Sequence, residues 1–180
     1  EQGMNIGRLI TQLAGFPEAV SGATINRFCA SGLESIALAS LRVMAGWSNI
    51  VIGGGIESMT HLPIGGLTPR PHPDFTLKRP DLYMSMGLTA ENVAKRYGIS
   101  REAQDEFAVE SHMKAAAAQQ KGLFGELVPT PATRFVATEN GIFKKEWVVQ
   151  SADDGIRADT TLERLASLKP VFAVNGTVTP

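Results

Sequence analysis

The sequence is poor in the residues that build redox, metal and nucleic-acid sites. It holds one cysteine, Cys29, which excludes an internal disulfide framework and a zinc site built on several thiolates. Its 3 histidines, His61, His72 and His112, are scattered without ligand spacing, so no metal is expected. Its 17 basic residues meet 18 acidic ones, a net charge of −1, which gives no argument for a nucleic-acid partner. No apolar run approaches the roughly 20 residues of a membrane span, so no membrane partner is expected either. The start, Glu1-Gln2-Gly3-Met4, has no basic segment leading into an apolar stretch and does not read as a secretory signal. It also lacks an initiator methionine, so residues upstream are expected. A reducing compartment is the simplest reading: the cytoplasm, or the mitochondrion or peroxisome if the source is eukaryotic.

What is present describes a folded chain. Hydrophobic residues make up 43% and charged residues 19%, values of globular rather than disordered sequences. The charges are unevenly placed. Only seven of the acidic and basic residues fall in 1–59, and the rest lie in 60–170. The first stretch therefore reads as elements buried on most sides, and the second as a solvated excursion with a small core of its own.

The spacing of Ile6, Leu9, Ile10 and Leu13 predicts a helix over 4–14, ended by Gly15 and Pro17. Residues 22–28 and 49–52 read as strands, and 31–45 as a helix ended by Gly46. Helix, strand, helix, strand with short links is the pattern of a parallel, layered α/β sheet. The Pro- and Gly-rich segment 63–73 must be a loop. A helix is expected over 85–97, and a long one from the N-cap Ser100 to about Lys121 with Phe107, Ala108, Ser111, Ala115 and Ala118 facing inward. Short strands are expected in 126–150, a short helix over 161–168, and a strand over 171–179 with a turn at Asn175-Gly176 that re-enters the core.

Cys29 falls between an expected strand and an expected helix. In open α/β sheets, ligands bind at the carboxyl ends of strands. A helix N-terminus favours negative charge, and the thiolate is the nucleophilic form of cysteine. Ala30, Ser31 and Gly32 are small, which lets a substrate carbonyl approach both sulfur and backbone N–H groups. This is what a covalent acyl-transfer nucleophile requires. The competing reading of a lone cysteine is a buried small hydrophobe.

The run Asn26-Arg27-Phe28-Cys29-Ala30-Ser31-Gly32-Leu33-Glu34-Ser35 resembles the active-site signature of the thiolase family. Gly53-Gly54-Gly55-Ile56-Glu57-Ser58-Met59 is similar to the glycine-rich segment that follows in that family. Met86-Gly87-Leu88-Thr89-Ala90-Glu91-Asn92, Ser100-Arg101-Glu102 with Gln104-Asp105-Glu106-Phe107-Ala108, and Leu168-Lys169-Pro170 with Gly176-Thr177-Val178-Thr179 resemble three further motifs, all in order.

The resemblance implies an α/β thiolase-like layered core, of which this chain is a partial N-terminal half. It implies a core over 1–59, an inserted α+β loop domain over 60–170 that binds CoA and substrate, and a return strand over 171–180. It implies an acyltransferase that cleaves 3-ketoacyl-CoA with free CoA, or runs the reverse condensation, through acyl-Cys29. The N-terminal segment and the Pro-rich loop look more like degradative members, those of fatty-acid oxidation. Coenzyme A enters as a substrate, and no covalently bound cofactor is implied.

Beside Cys29, whose own backbone N–H would be an oxyanion donor, the resemblance places Met86 on the acyl pocket and Ser85 near the pantetheine, where some members carry a histidine. It places Arg157 against the CoA nucleotide, and puts Arg164 where some members have a serine. Glu57 reads as structural, and His61, His72 and His112 match no family base and read as surface or loop residues.

The resemblance further implies a homodimer or homotetramer. It assigns the general base and the second cysteine to a C-terminal half required for activity, so this chain alone is expected to be inactive. A biosynthetic acetoacetyl-CoA-forming thiolase, a ketosynthase-like condensing enzyme and a non-catalytic CoA-binding module stand as alternatives. The long excursion after Met59 speaks against the ketosynthase.

Overall fold

The computed structural model describes residues 4–139, 141 and 143–180, in two compact units, residues 1–74 and 75–180. The segment Glu1–Gly3, part of the likeness to degradative members, lies outside the described residues.

The first unit is built on two helices, α1 (Ile6–Leu13) and α2 (Ser31–Met44). Asn5 caps α1 by accepting from the Arg8 N–H at 3.2 Å, and Gly15, at φ +77°, follows its end as the sequence predicts. The connection to α2 is tied back onto the first turn of α1. Asn5 Nδ2 donates to the Gly22 carbonyl at 2.7 Å, the Gly7 N–H donates to Thr24 Oγ1 at 3.1 Å, and the Arg8 guanidinium donates to the Val20 and Glu18 carbonyls. The approach is close: a Cβ on Gly22 would stand 2.5 Å from the Arg8 nitrogen, and one on Gly7 2.5 Å from the Ala23 oxygen.

The segments 22–28 and 49–52, expected as strands, are not strands. A strand exists by its ladder to a neighbour, and among the described residues the hydrogen-bonded sheet is the two-stranded one of the second unit. The Val20 and Gly22 carbonyls serve α1 side chains instead. None of the described residues of this unit is buried. Val51 and Gly53 lie along α2 beside Ile36, Ser40 and Met44, forming a shallow groove of about 400 Å³.

The second unit opens with the end of α3 (Pro73–Lys78), which spans the junction, and a 3₁₀ turn at Pro80–Tyr83. The helices α4 (Met86–Tyr97) and α5 (Arg101–Gln120) follow. Serines cap both: Ser85 accepts from the Leu88 N–H at 3.4 Å and Ser100 from the Ala103 N–H at 3.1 Å. The left-handed Gly98 separates them, at φ +63°. The buried residues of the unit sit on these two helices: Ala94, Asp105 and Ala116.

The inward stripe of α5 runs through Arg101, Gln104, Asp105, Ala108, His112, Ala115, Ala116 and Gln119, while Phe107 and Ser111 point outward, contrary to expectation. The helical period decides this. Position 107 falls between 105 and 108, off the stripe that 101, 105, 108 and 112 define.

The antiparallel hairpin of β1 (Thr130–Ala137) and β2 (Phe143–Gln150) supplies the expected short strands, with Thr133 opposite Trp147. The short helix α6 (Leu162–Ala166) is capped by Thr161. Residues 171–179 form no strand. They make the expected turn, with Asn175 at φ +57° and the Gly176 N–H bonded to the Ala173 carbonyl at 3.1 Å. The Val171 N–H bonds the Val178 carbonyl at 3.3 Å, and the amides of 177 and 178 go to a side chain rather than a ladder. The Glu91 carboxylate accepts from the Thr177 N–H at 3.0 Å and the Val178 N–H at 2.9 Å.

Candidate active site

Cys29 sits at the centre of a single 3₁₀ turn, Phe28–Ala30, that runs straight into α2. Four neighbours fix this turn. Asn26 Oδ1 accepts from the Phe28 N–H at 2.8 Å. The Arg27 N–H donates to Ser31 Oγ at 2.8 Å, and that hydroxyl donates onward to the Phe28 carbonyl at 2.7 Å. The Arg27 guanidinium pairs with Glu34, in the first turn of α2, at 2.6 Å.

Phe28 is held at φ +49°, in the left-handed region that a large side chain seldom enters. Such a residue costs on the order of 1–3 kcal/mol and persists only where its surroundings over-determine it. The Asn26, Arg27 and Ser31 bonds do so here.

The outcome is an exposed thiol at the N-terminal end of a 14-residue helix, in a unit none of whose described residues is buried. Among the described residues, neither the Cys29 thiol nor its backbone N–H has a hydrogen-bond partner. Sulfur and amide are thus presented together at the end of a helix whose dipole favours negative charge.

The other expected site residues lie in the second unit. Ser85 and Met86 share the N-terminal end of α4, Ser85 as its cap and Met86 as its first, exposed residue. Arg157 and Arg164 share one turn. The Arg157 carbonyl accepts from the Thr160 N–H at 3.2 Å and its hydroxyl at 2.8 Å. The Arg164 guanidinium is paired with the Asp159 carboxylate and also donates to the Asp159 carbonyl at 3.1 Å.

The Asp159 carboxyl is held below its ordinary range, first by the Arg164 hydrogen bond, then by its own backbone amide and the charges of Arg164 and Arg157. No hydrogen bond or ion pair among the described residues links the Ser85–Met86 end to the Arg157–Arg164 turn.

Two participants were not evident from the sequence. His112, expected on the surface or in a loop, is half-buried in the inward stripe of α5, and its Nδ1 accepts from the Arg157 N–H at 3.2 Å. The signal for it was its spacing, eleven residues after Arg101 and seven after Asp105. Glu91 is the second, for the amides of 177 and 178. His61 is bonded to the Ser58 hydroxyl at 2.8 Å, and Glu57 accepts from the Ser58 N–H at 2.7 Å, in keeping with a structural role. Among the described residues no group of three His, Cys, Asp or Glu is placed to hold a metal ion.

Comparison with known proteins bears on this arrangement. The family description "Thiolase, N-terminal domain" matches residues 1–180. A 3-ketoacyl-CoA thiolase of Bacillus subtilis is 47% identical over 180 residues, covering 99% of this chain and 46% of that protein. A peroxisomal 3-ketoacyl-CoA thiolase of Arabidopsis thaliana is 44% identical over 178 residues, covering 96% of this chain and 38% of that protein. The crystal structure of the Bacillus anthracis acetyl-CoA acetyltransferase superposes with a TM-score of 0.75 at 36% identity, over 97% of this chain and 45% of that one.

The chain is a mixed helix-and-sheet protein of the thiolase class. The chain belongs to the thiolase family and has the α/β fold of a thiolase N-terminal half. It spans somewhat less than half the length of these relatives.

Proposed function

We propose that the protein to which this chain belongs is a degradative thiolase that cleaves 3-ketoacyl-CoA to acetyl-CoA and a shortened acyl-CoA through an acyl-Cys29 intermediate. The observation that carries the proposal is the turn around Cys29, where an exposed thiol and an unpartnered amide share the N-terminal end of α2.

The Cys29 thiolate attacks the 3-keto carbon, and the Cys29 N–H donates to the oxyanion as it forms. The C2–C3 bond breaks, the departing acetyl-CoA carbanion takes a proton, and the acyl group remains on sulfur. The thiolate of a second CoA then takes the acyl group and restores Cys29, a two-step covalent exchange. Met86 lines the acyl chain, Ser85 lies toward the pantetheine, and Arg157 and Arg164 meet the CoA nucleotide. The excursion 60–170 thereby serves binding, and 1–59 serves the chemistry.

Positioned general acid–base groups contribute ~10²–10⁴-fold to such reactions. No imidazole or carboxylate among the described residues bonds the Cys29 thiol. The proton transfers therefore need groups beyond these, and the chain alone turns over no substrate. The names of the relatives favour 3-ketoacyl-CoA as substrate, and that of the Arabidopsis relative includes a peroxisomal location; for this protein the location we propose is the cytoplasm, or the peroxisome or mitochondrion of a eukaryote. The assembly we propose is a homodimer or homotetramer.

The name of the Bacillus anthracis protein favours a second reading, acetyl transfer between two acetyl-CoA molecules. Steady-state rates of the full-length protein with 3-ketoacyl-CoA esters of increasing length separate the two. A rate confined to acetoacetyl-CoA selects the second reading, and activity on longer chains the first.

A further inference from the structure

The residues 153–168, which carry Arg157 and Arg164, are mostly exposed and enclose no apolar core of their own. Their placement comes from side chains on one face of α5. Gln119 Nε2 donates to the Asp153 carbonyl at 3.3 Å. His112 Nδ1 accepts from the Arg157 N–H at 3.2 Å. Arg101 donates to the Leu165 carbonyl and, at 3.2 Å, to that of Leu168. The partners progress in opposite directions, 119 with 153, 112 with 157 and 101 with 165, so the segment runs antiparallel along the helix.

Each α5 residue meets backbone rather than side chain, so the helix fixes the path of the segment without a hydrogen bond to the Arg157 guanidinium. Of these contacts, His112 alone grips the residue that carries the guanidinium.

We propose that His112 is a positioning residue for the coenzyme A nucleotide. Its Nδ1 fixes the Arg157 backbone, and through it the direction of the guanidinium. The bond requires Nδ1 to be the unprotonated nitrogen, with the proton on Nε2. This inference rests on the reading of Arg157 as a nucleotide contact. A leucine at 112 fills much of the same space without an acceptor, whereas an asparagine keeps an oxygen near Nδ1. In neither variant does residue 112 touch the reacting atoms.

The test uses the full-length protein in the thiolysis direction with two acceptor thiols, coenzyme A and pantetheine, which lacks the nucleotide. His112→Leu is expected to raise KM for coenzyme A by about 10-fold, the scale of one misplaced charged contact. It should leave kcat, and both constants for pantetheine, within about 2-fold of the parent. His112→Asn is expected to recover most of the loss.

Arg157→Ala should show the same selectivity for coenzyme A, and the double variant His112→Leu/Arg157→Ala no further loss, because the two act through one contact. If Arg157→Ala is indifferent to the nucleotide, the reading of Arg157 fails and the inference with it. If Arg157→Ala is selective but His112→Leu is silent, or weakens both thiols equally, the inference alone is overturned.

Discussion

The hydroxyl of Ser31 accepts the backbone N–H of Arg27 at 2.8 Å, closing a turn of five residues around Cys29. The same hydroxyl returns its proton to the Phe28 carbonyl, the residue held at φ +49°. One side chain therefore satisfies a donor and an acceptor of the strained turn at once. Replacing Ser31 by alanine leaves the Arg27 N–H unpaired and leaves the Phe28 carbonyl only the Ser31 backbone N–H, which frees Phe28 to relax. Loss of such a hydrogen bond costs ~1 kcal/mol of stability, and a displacement near 1 Å at a reacting atom costs up to ~10²-fold in rate. We expect Ser31→Ala in the full-length protein to slow single-turnover acylation of Cys29 at least ~10-fold, with Ser31→Thr close to the parent. Stopped-flow release of acetyl-CoA reads this directly.

Arg157 and Arg164 differ in availability. The Arg164 guanidinium is hydrogen-bonded to Asp159, whereas that of Arg157 makes no hydrogen bond among the described residues and acts on Asp159 through its charge alone. An exposed ion pair is weak and readily exchanged, but an incoming phosphate must still displace it. Arg164→Ala should therefore change KM for coenzyme A less than ~3-fold, against ~10-fold for Arg157→Ala. Asp159→Asn, which releases Arg164, should lower KM or leave it unchanged. A rise in KM on Asp159→Asn would show that the carboxylate orients Arg164 rather than competing for it.

Glu91 holds the turn after Asn175 to α4 through the amides of 177 and 178. Removal of a half-buried acceptor strands those donors at ~1–3 kcal/mol. Glu91→Ala is expected to lower the unfolding free energy by about 2 kcal/mol in urea titration, and Glu91→Gln by less than half of that, since its amide oxygen still accepts.

The Glu102 carboxyl, in the first turn of α5, lies below the ordinary carboxylate range, drawn down first by its own backbone N–H and then by the Ser100 hydroxyl. A depressed folded-state value means that its support of the helix end is present above the ordinary carboxylate range. That support fades as pH falls through the folded value. Amide exchange at Ala103 and Gln104, followed down through the acidic range and corrected for intrinsic rates, should show protection falling in the parent. In Glu102→Gln it should be weaker from the start and flat in this region.

The helices other than α3 (Pro73–Lys78), which was not expected, were legible because their signals are local. Ser100 is the expected cap, Gly15 and Gly46 stand at the expected stops with positive φ, and apolar spacing supplied the rest. The hairpin was legible from β-favouring residues such as Trp147-Val148-Val149.

The strands at 22–28 and 49–52 were not, because a strand belongs to a pair and composition cannot say which neighbour answers it. Cys29 was found through small residues beside an expected helix start. The device that holds it was not, because Phe28 at positive φ is a tertiary result with no mark in the sequence. His112 escaped for a related reason: its partner is the backbone of a residue 45 positions away.

The measurement closest to the central claim is the intact mass of the full-length protein before and after incubation with acetoacetyl-CoA, with Cys29→Ala alongside. The account predicts one added acetyl group on the parent, mapped to Cys29 and discharged by free coenzyme A, and none on the variant. No adduct on the parent, or an equal adduct on both proteins, would contradict it.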